Sequence, residues 1–202
     1  MNPNSIIQIP LLLVVATDNP GKLREIQSYL ANLSWKLTLK PTSLEIEETG
    51  ETFAANACLK ASQVAQATGN WAIADDSGLQ VDALNGAPGI YSARYAKTDQ
   101  ERIKRLLGEL GDEPWRQAQF VCAIAIARPN GEIALQSEGI CRGEILHAPY
   151  GTAGFGYDPI FYVPAQRMTF AEMTPELKRE ISHRGQAFQS LLPQLQKVRG
   201  EG

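Results

Sequence analysis

The sequence predicts an α/β fold. Near the start, the uninterrupted apolar run Leu11-Leu12-Leu13-Val14-Val15-Ala16 reads as a buried strand. It passes through a turn-rich loop into helical spacing at Leu23, Ile26, Gln27 and Leu30, a strand–loop–helix unit. Strand and helix patterns then alternate again, from Trp35–Lys40 to the periodic stretch after Thr52 and the apolar run at Trp71. Later, Asn130-Gly131 between Gln119–Arg128 and Ile133–Ile145 is a strong hairpin signal.

The bulk numbers bound the function. A chain of 202 residues with 44% apolar and 20% charged residues suits one domain, or one domain with two lobes. The expected unit is 1–202, with 1–10 and 198–202 as loose ends. A net charge of -3 argues against a nucleic-acid surface working by counterion release. A local basic pocket for a small phosphate ligand stays open. Cys58, Cys122 and Cys141 are widely spaced, with no C-x-x-C pair. That argues against a zinc site or a disulfide scaffold and suits a reducing cytoplasm. The stretch 1–10 has no basic start, and Leu11–Ala16 is too short for a membrane span.

Taken in order, the first informative loop is Thr17-Asp18-Asn19-Pro20-Gly21-Lys22. It points backbone N–H groups and a lysine at one place, which suits an anion at a helix N-terminus. An ordinary polar βα turn fits equally well, and the G-x-x-x-x-G-K-[ST] phosphate loop is absent. Glu45, Glu47, Glu48 and Glu51 form an acidic run, either solvated or a source of metal oxygens. Phe53, Ala57, Ala61, Val64 and Thr68 then share one helical face, capped at Thr52 or Thr49 and ended by Gly69-Asn70.

Trp71-Ala72-Ile73-Ala74 reads as a strand that breaks into Asp75-Asp76-Ser77-Gly78. Two readings stand. Paired carboxylates can hold Mg²⁺ or take a proton from water, or they can simply close an Asx-type turn. Leu79–Leu84 reads as extended, and Asn85–Gly89 as a tight loop. Asp99–Leu110 is an amphipathic helix with Ile103, Leu106, Leu107 and Leu110 inward. Gly139 and Gly143 mark a bulge or bend in the returning hairpin arm. In Tyr150–Pro159, three glycines let the backbone approach a ligand and two aromatics can face a flat ring, though a plain Gly-rich loop with buried aromatics fits equally well. Thr174-Pro175 starts a short helix that carries Lys178. Ser182 caps the last helix, which puts His183 and Arg184 in a first turn where the dipole disfavours positive charge. An acceptor-rich ligand would explain them, and so would a surface turn.

Together and in this order, these stretches resemble the inosine/xanthosine triphosphate pyrophosphatase family, which removes non-standard purine nucleotides. The likeness runs from about Leu11 to Leu195. It rests on Thr17–Lys22, Glu47-Glu48-Thr49-Gly50, Ile73–Leu79, Gly86–Tyr95, Gly154–Pro159 and Ser182-His183-Arg184-Gly185. One departure matters: the family's first loop reads Thr-Gly-Asn, and here Asp18 replaces the glycine. That restricts the backbone and adds a carboxylate near the phosphates.

The resemblance implies an elongated, long mixed β-sheet flanked by helices, with two lobes and a nucleotide cleft between them. It also implies a homodimer, Mg²⁺ and hydrolysis of ITP, dITP and XTP to the monophosphate plus pyrophosphate. By residue, it implies Thr17, Asp18, Asn19, Pro20, Gly21, Lys22 and Ser77 around the triphosphate. Glu47 and Asp76 would hold Mg²⁺, with Glu48 and Asp75 as supporting or alternate ligands. Asp76 would be the general base. Phe155, Gly156, Tyr157, Asp158, Lys178, His183 and Arg184 would surround the base. The alternatives are a pyrophosphatase for modified pyrimidine nucleotides and a nucleotide-binding module without turnover.

Overall fold

The computed structural model describes residues 11–33 and 35–199. In chain order these form β1 (Leu11–Val15), α1 (Pro20–Leu30), β2 (Trp35–Leu39), α2 (Phe53–Thr68), β3 (Trp71–Val81) and α3 (Asp99–Leu110). There follow β4 (Gln117–Ala127), β5 (Ile133–Ile145), β6 (Phe161–Val163), β7 (Met168–Thr169), α4 (Pro175–Ile181) and α5 (His183–Arg199). The strands make one mixed sheet in the order β2-β1-β3-β4-β5-β6-β7. β1 runs parallel to β2 and β3, and every later pairing is antiparallel. The expected loose ends at 1–10 and 200–202 lie outside the described residues. Residues 198 and 199 instead complete α5.

Side-chain size decides how the helices sit. On one face α2 lays Phe53, Ala57, Ala61 and Val64 against Ala72, Ala74, Ala123 and Ala125. Alanine on both sides lets helix and sheet approach closely. On the other face, Ile26 and Leu30 of α1 and Phe188, Leu191 and Leu195 of α5 cover Leu13, Val15, Ile73, Ile124 and Ile126. Tyr29 of α1 stacks on Phe188 of α5, centroids 4.4 Å apart. A third cluster joins Ile103, Leu106 and Leu110 of α3 to Leu79, Phe120, Phe161 and Phe170. Helix starts follow the expected chemistry. Thr52 and Thr174 accept hydrogen bonds from Ala55 and Leu177 amides, and Thr98 forms a capping box with Glu101.

Three expectations are corrected. First, β3 does not break at Asp75. It continues through Asp75–Leu79 to Val81, because Ala118–Ala127 of β4 pairs with it residue by residue. A neighbouring strand satisfies the backbone that a turn would otherwise have to serve. Second, the 79–84 stretch is not extended throughout, since Asp82–Leu84 turns as a short 3₁₀ helix. Third, Gly139 and Gly143 mark close approaches rather than bulges. The β4–β5 register is continuous there and shifts only at Ile126/Ala127.

At Gly139 a Cβ would collide with the His183 carbonyl and the Ala187 amide of α5. These are backbone atoms and cannot move aside singly. Gly139→Ala is therefore expected to destabilise by about 1–3 kcal/mol, the usual cost of overpacking. It should also lower activity, because the displaced turn carries His183 and Arg184. Urea denaturation checks the first effect, and unchanged stability would disprove the close packing.

Candidate active site

β1 stops at Val15, level with Ile73 of β3. β3 runs on for eight more residues paired with β4, and on the β1 side its backbone pairs again only where Gln80 bridges Pro88, among the described residues. The space left by β1 is taken by the 17–22 loop, so Asp75, Asp76 and Ser77 emerge beside it. Asn19 caps α1, its side chain accepting from the Gly21 and Lys22 amides at 2.8 and 3.1 Å. Asn19 N–H in turn donates to Thr17 Oγ1. Asp18 adopts no positive φ; among the described residues only Asn85 and Arg167 do so without being glycine. The replacement of a glycine therefore carries no left-handed strain.

Strand alternation sends the two neighbouring aspartates to opposite faces. Asp75 faces α1 and α5. It accepts from Arg184 Nη2 at 2.8 Å and from Ser77 Oγ at 3.3 Å, and lies 3.3 Å from Lys22 Nζ. Burial alone would raise its carboxyl, but Lys22, Arg184 and Lys60 outweigh it and hold the group well below the usual carboxylate range. Asp76 faces α2. Asn56 Nδ2 donates to its Oδ2 at 3.1 Å, and Lys60 Nζ lies 3.4 Å from its Oδ1. Here burial wins over Lys60 and Lys22, and the carboxyl is raised. Lys60 also binds Glu48 Oε1 at 2.6 Å. Burial would discharge Lys60, but Asp76, Asp75 and Glu48 keep it protonated.

Two cavities meet here. One is lined by Thr17, Asp18, Asn19, Lys22, Lys40, Glu48, Lys60, Asp76 and Ser77. The other is lined by Asn19, Lys22, Ser77, Arg102, Phe155, Gly156, Tyr157, Asp158, Lys178, His183 and Arg184. Asn19, Lys22 and Ser77 stand on the wall common to both. Phe155 lies over Gly21, whose missing Cβ would stand 2.6 Å from the ring. The loop is folded around Asp158, which accepts from the Phe155 amide at 2.8 Å and from Lys178 Nζ at 2.6 Å. Lys178 also pairs with Glu25 at 3.0 Å, and Glu25 pairs with Arg184. Burial would lower Lys178, but Asp158 and Glu25 hold it charged. His183 stacks on Phe120, centroids 4.7 Å apart. Burial, with Arg184 and Lys178 close by, drives its imidazole well below its usual value. Its Nδ1 has no hydrogen-bond partner among the described residues.

Most residues singled out from sequence thus converge. Pro20 and Gly21 build the first turn of α1 rather than line a cavity. Glu47 is exposed, and Glu48 is the carboxylate that turns inward. Asp75 does not sit with Asp76, so the two do not share one cation. Sequence reasoning passed over Asn56, Lys60 and Glu25. Asn56 and Lys60 are spaced i, i+4 and border the apolar face of α2, which is the pattern that could have found them.

The chain belongs to the Ham1 family, whose model matches residues 13–194. It is 76% identical over 184 residues to a dITP/XTP pyrophosphatase from Nostoc sp., covering 91% of this chain and 94% of that one. A dITP/XTP pyrophosphatase from Synechocystis sp. is 62% identical over 182 residues, covering 90% and 94%. Among solved structures, a HAM1 protein from Coxiella burnetii superposes with a TM-score of 0.85 at 46% identity, covering 93% of this chain and 99% of that one.

Asp75→Asn should unfold more easily, by about 3 kcal/mol, because it leaves buried cations without their counter-charge. The pH dependence follows from the lowered carboxyl. The ionised form's contribution is complete above the unfolded carboxylate pKa of about 4 and fades only as pH falls towards the lower folded value. The difference between wild type and variant should therefore be flat from pH 8 to pH 5. A gap that closes over that range in denaturant titrations would contradict the Asp75 assignment.

Proposed function

We propose that this protein hydrolyses non-standard purine nucleoside triphosphates (ITP, dITP and XTP) to the monophosphate and pyrophosphate. The observation that carries this reading is the pair of joined cavities, one rich in lysines and carboxylates, the other walled by rings. The shared wall of Asn19, Lys22 and Ser77 lies where a nucleotide's phosphates and nucleoside would meet. The Nostoc and Synechocystis relatives are named for two of these substrates, dITP and XTP. We further propose a single domain acting as a homodimer in the cytoplasm. The free thiols of Cys58, Cys122 and Cys141 suit a reducing compartment.

The chemistry can be assigned residue by residue. A triphosphate brings about four negative charges, and preorganised cations are the main way to stabilise charge in phosphoryl chemistry. Lys22 and Lys60 take that part, both lining the cavity that holds Asp76 and Glu48. Asp76 receives the proton of the attacking water. Its raised carboxyl makes it a stronger base than an ordinary aspartate, and Asn56 fixes its orientation. Asp76 and Glu48, bridged by Lys60, form an oxygen donor set that fits Mg²⁺, which takes one or two carboxylates and completes its shell with substrate phosphates and waters. Among the described residues no three His, Cys, Asp or Glu side chains cluster as a self-sufficient metal cage. Glu47 can join only if its loop turns. When bound, Mg²⁺ would neutralise phosphate charge and favour ionisation of water.

For the base, Lys178 is the charged donor and His183 the neutral one beside Phe155. A charged donor favours the 6-oxo group of hypoxanthine and xanthine over adenine's 6-amino group. Arg184 lines the same cavity, but four of its five N–H donors go to Asp75, Glu25 and Ser77, so its main part is to hold the site in shape.

Pyrophosphate release across a panel of ITP, XTP, GTP and ATP with Mg²⁺ tests the function. Asp76→Asn should reduce turnover by at least 10²–10⁴-fold, the usual worth of a general base. A near-native rate in that variant would remove Asp76 from its central role, and full activity in excess EDTA would remove the metal. Lys178→Met should narrow the ratio of kcat/KM for ITP over ATP. An equal proportional loss on both would mean that Lys178 serves only the fold.

A further inference from the structure

Lys40 follows β2 directly, and its amide donates to the Val15 carbonyl at 3.1 Å. That fixes it beside the strand end that feeds the 17–22 loop. Its side chain is only 6% exposed, unusual for a lysine. The ammonium donates to the Leu44 carbonyl at 3.0 Å and lies 2.9 Å from Asp18 Oδ1. The Asp18 side chain, by contrast, is 80% exposed. This asymmetry is informative. An exposed carboxylate loses little by swinging back to water, since exposed ion pairs are weak. A covered ammonium needs an anion in place at all times.

Position adds the second half of the argument. Lys40 and Asp18 line the cavity that holds Lys60, Glu48 and Asp76 and take no part in the ring-lined one. They therefore face the end of a bound substrate that is remote from the base. We propose that Lys40 binds the pyrophosphate portion of the triphosphate. Asp18 is its exchangeable counter-ion, occupying the place of a phosphate oxygen until substrate arrives. The inference rests on reading this cavity as the triphosphate site. It adds Lys40 and a defined, opposing role for Asp18, which differs from simple phosphate contact.

The test uses inorganic pyrophosphate and inosine monophosphate as inhibitors of ITP hydrolysis by the whole chain. If pyrophosphate does not compete with ITP in the wild type, the triphosphate-site reading itself fails. If it does compete, Lys40→Met should weaken pyrophosphate inhibition and raise KM for ITP about tenfold or more, the scale of a lost charge-assisted hydrogen bond. Inhibition by the monophosphate should stay within about twofold of wild type, because that ligand does not reach Lys40. Asp18→Asn, a change at an exposed residue that leaves the fold intact, should move the other way and tighten pyrophosphate binding several-fold. Unchanged pyrophosphate inhibition in Lys40→Met, or equal weakening of both inhibitors, would reduce Lys40 to a brace for the 41–44 loop. Weaker or unchanged pyrophosphate binding in Asp18→Asn would overturn the exchange.

Discussion

The site depends on one geometric constraint: Asp75 and Asp76 leave β3 on opposite faces. Adjacent residues of a strand must do so. Here the two faces are covered by helices of opposite character. The α1/α5 face offers Lys22 and Arg184 close to Asp75. The α2 face offers Asn56 and a lysine already shared with Glu48. Identical side chains one residue apart therefore acquire opposite shifts, Asp75 downward and Asp76 upward. Environments that push two carboxylates apart assign their roles. Asp75 is held in its charged form by the cations around it, and Asp76, with its raised carboxyl, suits the proton exchange proposed for it.

From Asp75 a chain of alternating charge crosses the molecule. Lys22 and Arg184 meet at Asp75, Arg184 and Lys178 meet at Glu25, and Lys178 meets Asp158 inside the Phe155–Asp158 loop. Buried ion pairs of this kind add little net stability over an apolar core, because desolvation offsets their attraction. Their value lies in geometry. Each member has its neighbours fixed before a ligand arrives, so the 17–22 loop and the ring-lined cavity hold a set distance. The glycines serve the same end. Gly21 lets Phe155 lie on α1, and Gly139 lets α5 bring His183 and Arg184 down onto the sheet.

How far this was legible in the sequence follows from the range of each interaction. Helices and their caps were legible, because periodicity and capping are local: Thr52, Thr174 and the stripe of α2 all behave as read. The path of β3 was not. Asp, Ser and Gly signal a turn when only neighbours are considered, and the partner that keeps them extended begins some forty residues later, in β4. The convergence of Thr17–Lys22, Ser77, Phe155–Asp158, Lys178 and His183 was legible only through the ordered motifs. Glu25 escaped because its partner Arg184 is 159 positions away. Which of Glu47 and Glu48 turns inward is a rotation of one residue that no spacing rule reports; Glu48 does so and Glu47 stays exposed.

Three lysines, Lys22, Lys40 and Lys60, line the cavity that holds Asp76 and Glu48. Each has an acidic partner in the free protein: Lys22 with Asp75, Lys40 with Asp18, and Lys60 with Glu48 and Asp76. This solves a stability problem, since uncompensated buried ammonium groups would disfavour the compact state. It also sets a threshold for ligands. An incoming anion gains only the difference between its own attraction and that of the carboxylate already present. A single phosphate brings too little charge to compete at all three lysines. In the binding mode proposed above, a triphosphate reaches all three and competes at each. Covering the lysines with carboxylates thus turns a generally basic cleft into one that responds to the length of a polyphosphate. It does so without the protein carrying a net positive charge that would attract nucleic acid.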